Sequence, residues 1–166
     1  MIKTVLLGIV LLVAGVLVYE NGSRISDAQV REYMRMELEA MRRYDSATLC
    51  EAMADDFHLR SVEHAGGVQQ RTEMGRADAC TQLRDGLAAF ETLSQRTGGL
   101  LGLDIAMETT RIEILPGGRR ARVEATSTAK IADRLIWRTR AKGELSRSLW
   151  RIRDHGGEAQ TWTYLE

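Results

Sequence analysis

Tyr44-Asp45-Ser46-Ala47-Thr48-Leu49-Cys50-Glu51-Ala52-Met53-Ala54-Asp55-Asp56-Phe57-His58-Leu59-Arg60 decides how the chain is read. A helix ends near Tyr44. Asp45 or Ser46 then caps a second, short helix from Ala47 to about Ala54. Phe57-His58-Leu59-Arg60-Ser61-Val62-Glu63 alternates as a strand does, and Ala65-Gly66-Gly67 turns it. Upstream residues deliver a helix into this stretch, and downstream residues supply a longer helix and a run of strands to pack on it.

The upstream helix carries its own start signal. Ser26-Asp27-Ala28-Gln29 is a capping box, with Ile25 and Val30 placed as a hydrophobic staple. Val30, Met34, Glu37, Leu38, Met41 and Tyr44 recur at helical spacing on one face. Glu37 is the odd member: either it snorkels out from the flank of the stripe, or its carboxyl is held in a pocket. Before this helix, Val5 to Tyr19 holds no charge, with Lys3 ahead of it and Glu20 behind. With Met1, Ile2 and Thr4 included, the apolar reach is about as long as a short spanning helix, a little under the ~20 residues a bilayer core asks for. Residues 1–20 are therefore expected to be a transmembrane anchor contacting the membrane through residues 4–19. Lys3 on the cytoplasmic side puts the C-terminal body outside the cytoplasm, as a single-pass protein of a bacterial-type inner membrane. The rival reading is a signal peptide, although no small-x-small site ends the run. Glu20-Asn21-Gly22 reads as a flexible exit, residues 21–25 as a short linker, and 26–166 as one domain.

Downstream, Val68 to Glu73 can return as a second strand, and Gly75 opens a helix from Arg76 to about Arg96. Its apolar face is Ala79, Cys80, Leu83, Leu87, Phe90 and Leu93. Gly86 inside it is unfavourable by about 1 kcal/mol against Ala, which suggests a close neighbour there. The rest reads as β. Leu101 to Thr109 alternates and Ile112 and Ile114 fall on the other parity, the mark of a bulge. Pro116-Gly117-Gly118 is a hairpin turn. Ala121 to Lys130 is a strand, Ile136 to Arg153 another with a parity slip near Leu149-Trp150, His155-Gly156-Gly157 a turn, and Ala159 to Leu165 the last strand. The fold class is α+β: an N-terminal transmembrane helix, then three helices on a curved, mostly antiparallel sheet.

The 166 residues carry 23 Lys and Arg against 23 Asp and Glu. With no net charge, nothing in bulk draws the chain to nucleic acid.

Tyr44-Asp45-Ser46 through Ala54-Asp55-Asp56-Phe57 resembles the helix, acidic turn and "ADDF" of the nuclear-transport-factor-2-like (SnoaL-like, cystatin-like cone) superfamily. Gly75 before the long helix and His155-Gly156-Gly157 fit the same pattern, so the resemblance covers about residues 24–166. It implies a cone-shaped domain with a pocket, and it leaves function open, because such cones host isomerases, dehydratases, binding modules and assembly domains. Laid on the steroid isomerases of that group, Glu37 falls at the oxyanion-donor Tyr and Ser61 at the base Asp. Ser61 has no usable basicity and an ionised Glu37 repels an oxyanion, so the activity does not carry over.

The pocket candidates are Glu37, Met41, Tyr44, His58 and Arg60; the catalytic set is unknown. If Glu37 is buried, its partner is expected to be His58, Arg60 or an inward arginine of the later strands. Cys50 and Cys80 either bridge, as an exported domain invites, or are two separate core thiols. His58, His64 and His155 show no metal or triad spacing, and His155, in a turn, faces solvent. No metal and no cofactor is expected. Arg138, Arg140 and Lys142 read as a solvated ladder paired with Glu124 and Glu144. Core packing accounts for most of Trp137, Trp150 and Trp162. The expected function is a tethered, non-catalytic domain binding a partner protein or a small apolar ligand, with a homodimer through the sheet as a further partner. The alternative is a lyase or isomerase using Glu37, Tyr44, Asp56 or His58. Two or more titratable groups converging inside the cone favour the enzyme, and a filled apolar interior favours the scaffold.

Overall fold

The capping box forms as the sequence requires. The Ser26 amide donates to the Gln29 side chain at 3.0 Å, the Gln29 amide donates back to Ser26 Oγ at 3.4 Å, and a helix over Asp27–Arg42 follows. In the computed structural model, which describes residues 2–164, the elements run α1 (Ile2–Ser23), α2 (Asp27–Arg42), α3 (Ser46–Ala52), β1 (Met53–Ala65), β2 (Val68–Gly75), α4 (Arg76–Arg96), β3 (Leu103–Ile114), β4 (Arg120–Ile131), β5 (Arg134–Ser148) and β6 (Arg151–Thr163). Met1, Leu165 and Glu166, the outer ends of the expected anchor, last strand and domain, lie outside the described residues.

Tyr44 leaves α2 in the left-handed region (φ 57°), and Asp45 caps α3 by accepting from the Thr48 amide at 3.0 Å and its hydroxyl at 2.6 Å. The strand then opens at Met53, four residues before the expected Phe57. Met53 is already extended and pairs with Asp154, and a register shift before His58 absorbs the extra residues. The Ala54-Asp55-Asp56-Phe57 stretch is thus strand, not helix end.

Six strands form one sheet in the order β2-β1-β6-β5-β4-β3. All neighbours are antiparallel except β1 and β6, which run parallel. A shift between Thr109 and Arg111 is the expected bulge in β3. The expected long strand from Ile136 to Arg153 is two strands, because the chain reverses at Leu149-Trp150, between the paired Ser148 and Arg151. Both turn residues have positive φ (47° and 72°), a backbone that Asn-Gly usually supplies and that Leu-Trp does not advertise. His155-Gly156-Gly157, expected as the turn, lies inside β6. There Gly156 (φ 78°) passes so close to β1 that a Cβ would stand 2.3 Å from the His58 carbonyl oxygen. The two glycines serve a close strand crossing rather than a reversal.

The curved sheet meets α2 at two places. Ile25, Val30 and Tyr33 pack with Ala121, Val123 and Leu145 at one end. At the other, Leu38, Met41 and Tyr44 pack on Leu103, Ile105, Ala129 and Ile136. Arg42 clamps that end by donating to the Ile105 carbonyl at 3.1 and 2.8 Å. A third cluster of Ala40, Leu49 and Leu87 joins α2, α3 and α4. Cys50 and Cys80 are joined as a disulfide, with Cα atoms 5.4 Å apart, tying α3 to α4.

Glu20-Asn21-Gly22, expected as a flexible exit, is helical, and the residues expected as a linker, 21–25, begin inside the same helix. Helix α1 continues through Ser23, and Gly22, Ser23 and Ile25 are buried. Gly22 does not break the helix because its bare Cα is where the Trp150 indole rests: a Cβ would come within 3.1 Å of the ring. Among the described residues no single helix is long and apolar enough to cross a membrane; Ile9–Ser23 and Asp27–Arg42 together meet that measure only as a pair bent by 57°. The anchor expected over residues 1–20 gains no support from that measure.

Candidate functional site

Between the two places where α2 touches the sheet, a cavity of about 720 Å³ opens inside the cone. Strand alternation aims Leu103, Ile105, Met107 and Trp137 into it, with Phe90 and Leu83 entering from α4. Trp137 packs against Phe90, ring centroids 5.6 Å apart. Most of the lining is apolar.

One end is not. Tyr33 and Glu37, one turn apart on α2, meet Asp154 of β6 there. Removal from water pushes Glu37 up to about 8, and the neighbouring Asp154 carboxyl adds to the rise. Burial likewise raises Asp154, although its carboxylate accepts from the Gly156 amide at 2.8 Å and feels His155, both of which favour the charged form. Burial, then Glu37 and Asp154, drive the Tyr33 hydroxyl far above the ordinary phenol range. At neutral pH the cluster is therefore a protonated carboxyl and a phenol, two hydrogen-bond donors, beside a second carboxyl. Such a set can grip an oxygen acceptor, and Asp154 can take a proton from an adjacent atom.

Of the five expected pocket residues, Glu37 and Met41 line this cavity. Tyr44 instead packs between two core clusters, its hydroxyl accepting from the Leu103 amide at 3.3 Å. His58 and Arg60 project from the other face of β1, where His58 stands 3.8 Å from Glu73 and Arg60 3.3 Å from Glu158. The cationic partner expected for Glu37 is thus absent among the described residues; its charged neighbour is an acid. Ser61 and Glu37, laid on the isomerase pattern, both do face the cavity, and burial removes the objection to Glu37 because a neutral carboxyl donates to an oxyanion rather than repelling it. Asp154 carries no signal in the sequence because it stands beside glycines that look like a turn. Gly86 has no neighbour within 4 Å of a Cβ position, contrary to the close contact expected, and lies on the cavity wall.

The outer face of the sheet behaves differently. His155, expected as a solvent-facing turn residue, is only 17% exposed, with Nδ1 2.6 Å from Asp56 and Nε2 2.7 Å from Ser146 Oγ. The connectivity is that of a nucleophilic triad, but Ser146 lines neither the cone nor the groove outside it; the chain of bonds pins β1 and β5 to β6 at two register shifts. Lys142 pairs with Glu124 at 3.3 Å as expected, Glu144 pairs with Arg120, and Arg140 stands 5.7 Å over the Trp162 ring. Trp162 stacks on His64 and Trp150 is exposed, so Trp137 alone of the three tryptophans packs in the core.

A six-stranded curved sheet wrapped around three helices, with a cavity at its open side, is an NTF2-like fold. Among solved structures, an NTF2-like protein of unknown function from Silicibacter pomeroyi is similar over 81% of this chain and 93% of its own (TM-score 0.55, 13% identity). One from Shewanella baltica is similar over 82% and 97% (TM-score 0.55, 12% identity). A candidate dehydratase of the NTF2-like family from Streptomyces avermitilis is similar over 84% and 96% (TM-score 0.52, 19% identity). No protein-family model matches the chain, and no curated protein matches it in sequence. At these identities the likeness fixes the fold alone.

Proposed function

We propose that the protein is a membrane-tethered, extracytoplasmic NTF2-like domain that binds a small, largely apolar molecule through one oxygen acceptor. The observation that carries this reading is the Tyr33–Glu37–Asp154 cluster at one end of a cavity whose lining is mainly apolar. Neutral Glu37 and Tyr33 donate to the acceptor, a carbonyl being the simplest, while the hydrocarbon body lies along Phe90, Trp137 and Met107. Tethering is supported by the uncharged run from Val5 to Tyr19 within α1, preceded by Lys3. Its side chains from Ile9 to Tyr19 are exposed all round, Leu12 at 69%, as befits a helix whose solvent is not water. The Cys50–Cys80 disulfide supports export, since such bonds persist in oxidising compartments. The outer face around Trp162 is left for a protein partner or a second copy.

A second reading uses the same groups catalytically: Asp154 abstracts a proton beside the carbonyl while Glu37 and Tyr33 stabilise the enolate, as a lyase or isomerase requires. Three converging titratable groups favour it over a filled scaffold. Full-length protein in nanodiscs, titrated with 4-phenylcyclohexanone or phenylcyclohexane while the Trp137 indole resonance is followed, tests binding. The ketone is expected to bind at least about tenfold tighter, one good hydrogen bond's worth, and Glu37→Ala to abolish the difference. An unmoved Trp137 signal overturns the binding site. Exchange of the ketone's α-protons in D₂O, lost in Asp154→Asn, separates the catalytic reading from binding alone. For the tether, a reporter fused after Glu166 is expected to work only if exported; activity of a reporter that functions only in the cytoplasm overturns that placement.

A further inference from the structure

The last turn of α1 is built into the tips of two hairpins. The Trp150 amide donates to the Gly22 carbonyl at 2.9 Å and the Ile25 amide to the Gly118 carbonyl at 2.7 Å. Arg119 donates to Glu20 at 2.6 Å and lies 5.3 Å over the Tyr19 ring. Arg147 donates to the Arg24 carbonyl at 2.6 Å and lies 5.2 Å over the Trp150 ring. The direction in which α1 leaves the domain is therefore set by the fold.

In a meander, alternate turns lie at the same end. The β3–β4 turn (Pro116–Gly118) and the β5–β6 turn (Leu149-Trp150) are both at the α1 end, and the β4–β5 turn (Ala132-Asp133) is at the far end. The two two-residue turns share a backbone, with φ of 47° and 64° at Ala132-Asp133 and 47° and 72° at Leu149-Trp150. Their chemistry is opposite. The far tip is small and acidic; the near tip presents two large apolar side chains, 58% and 60% exposed, in a conformation that disfavours both. Trp150 lays one part of its ring against Gly22 and under Arg147, and the rest of it, with Leu149, stays open. At the α1 end Glu20, Glu51 and Glu144 are each matched by Arg119, Arg151 and Arg120, whereas Arg24 and Arg147 have no carboxylate within ion-pair distance among the described residues. Arg147, Trp150 and Arg151 also edge a groove of about 660 Å³ beside α2.

We propose that this end of the domain is a membrane-contact face: Leu149 and Trp150 enter the interfacial layer of the bilayer that holds α1, and Arg24 and Arg147 bind its anionic headgroups. Tryptophan favours that layer because its ring is apolar and its N–H is wet, and exposed guanidinium groups gain from a negative lipid surface. The inference rests on the reading of α1 as a tether, and the test separates the two.

The full chain, labelled with fluorotryptophan, is placed in nanodiscs of phosphatidylcholine, with or without phosphatidylglycerol, carrying a paramagnetic lipid, and its three tryptophan resonances are followed. Trp150 alone is expected to broaden, more strongly with phosphatidylglycerol, and Arg24→Gln with Arg147→Gln to remove that lipid dependence while Trp137 and Trp162 keep their shifts. Resistance of the protein to alkaline extraction reads the tether independently. Retention in the membrane with a sharp Trp150 signal overturns the contact face and leaves the tether standing. Release on extraction overturns the tether. Equal broadening in both lipids overturns the role given to the two arginines.

Discussion

Asp154 and His155 are consecutive residues of one strand and face opposite sides of the sheet. His155 points outward and is held at both ring nitrogens, by Asp56 at 2.6 Å and Ser146 at 2.7 Å. Asp154 points inward toward Glu37 and Tyr33, and its hydrogen-bond donor is the amide of Gly156. The same division runs through the sheet: Lys142–Glu124, Arg120–Glu144 and Arg60–Glu158 pair on the outside, while on the inside Glu37 and Asp154 lie together with neither in an ion pair among the described residues. Outside, solvent screens each pair and its net worth is small. Inside, two desolvated acids destabilise the fold unless one keeps its proton. An arrangement that works against stability in a cavity able to hold a ligand points to use rather than packing.

The sharpest way to break the comparison is to remove the inward acid. Glu37 is raised in the folded state from an ordinary 4.5 to about 8. The folded state then holds a proton the unfolded state has released, so stability is fully present below about pH 4.5 and is lost as pH rises toward 8. A tenfold difference in proton affinity between the two states is worth about 1.4 kcal/mol, so the loss across that window is on the order of 4 kcal/mol. Glu37→Gln is expected to flatten this decline in melts from pH 4 to 8 and to be the more stable chain at pH 8. Parallel curves for the two proteins would mean that Glu37 is solvated and the inside is no different from the outside.

The cavity wall gives the next effect. The Cys50–Cys80 bond closes a separation of 30 residues between α3 and α4, worth about 3.5–4 kcal/mol by chain entropy. Cys50→Ala with Cys80→Ala is expected to lower unfolding free energy by that order in urea titrations. Hydrogen exchange should rise first in α4, while the outer pairing of β5 with β6 keeps its protection. Uniform loss of protection would show that wall and outer face are one cooperative unit. Smaller again is the outward network. His155 is mostly buried but Asp56 is well exposed, and their coupling in a double-mutant cycle of His155→Ala and Asp56→Ala is expected at roughly 0.5–1 kcal/mol. A coupling as large as the Glu37 effect would erase the distinction between the two faces.

What is legible in the sequence divides along the same line. The capping box, the Pro116-Gly117-Gly118 turn and the span of α4 each rest on local chemistry that reads directly from neighbouring residues. Helical spacing alone brings Glu37 to the sheet-facing side. Its partner is not readable, because which parity of β1 and β6 faces inward depends on register shifts at Met53–His58 and Gly143–Leu145 that follow from strand crossing. Leu149-Trp150 reads as strand because neither residue carries a turn signal. Gly156-Gly157 reads as a turn because paired glycines carry that signal whether they reverse a chain or let another backbone pass.

Gly86 gives an effect of the same small order and tests the cavity without touching a charge. It sits in mid-helix, where glycine is less favourable than alanine by about 1 kcal/mol through unfolded-state entropy. A Cβ at this site meets nothing within 4 Å, because Gly86 faces the cavity rather than a packed neighbour. The entropic gain of Gly86→Ala is therefore unopposed by contact, and the melting temperature is expected to rise by roughly 2–4 °C. Because the added methyl enters the cone, affinity for a bulky apolar ligand should fall even as stability increases, the opposite coupling to that of an ordinary helix-surface alanine. A lowered melting temperature would mean that α4 closes on the sheet at this point, and that the space around the two acids is smaller than a cavity of about 720 Å³.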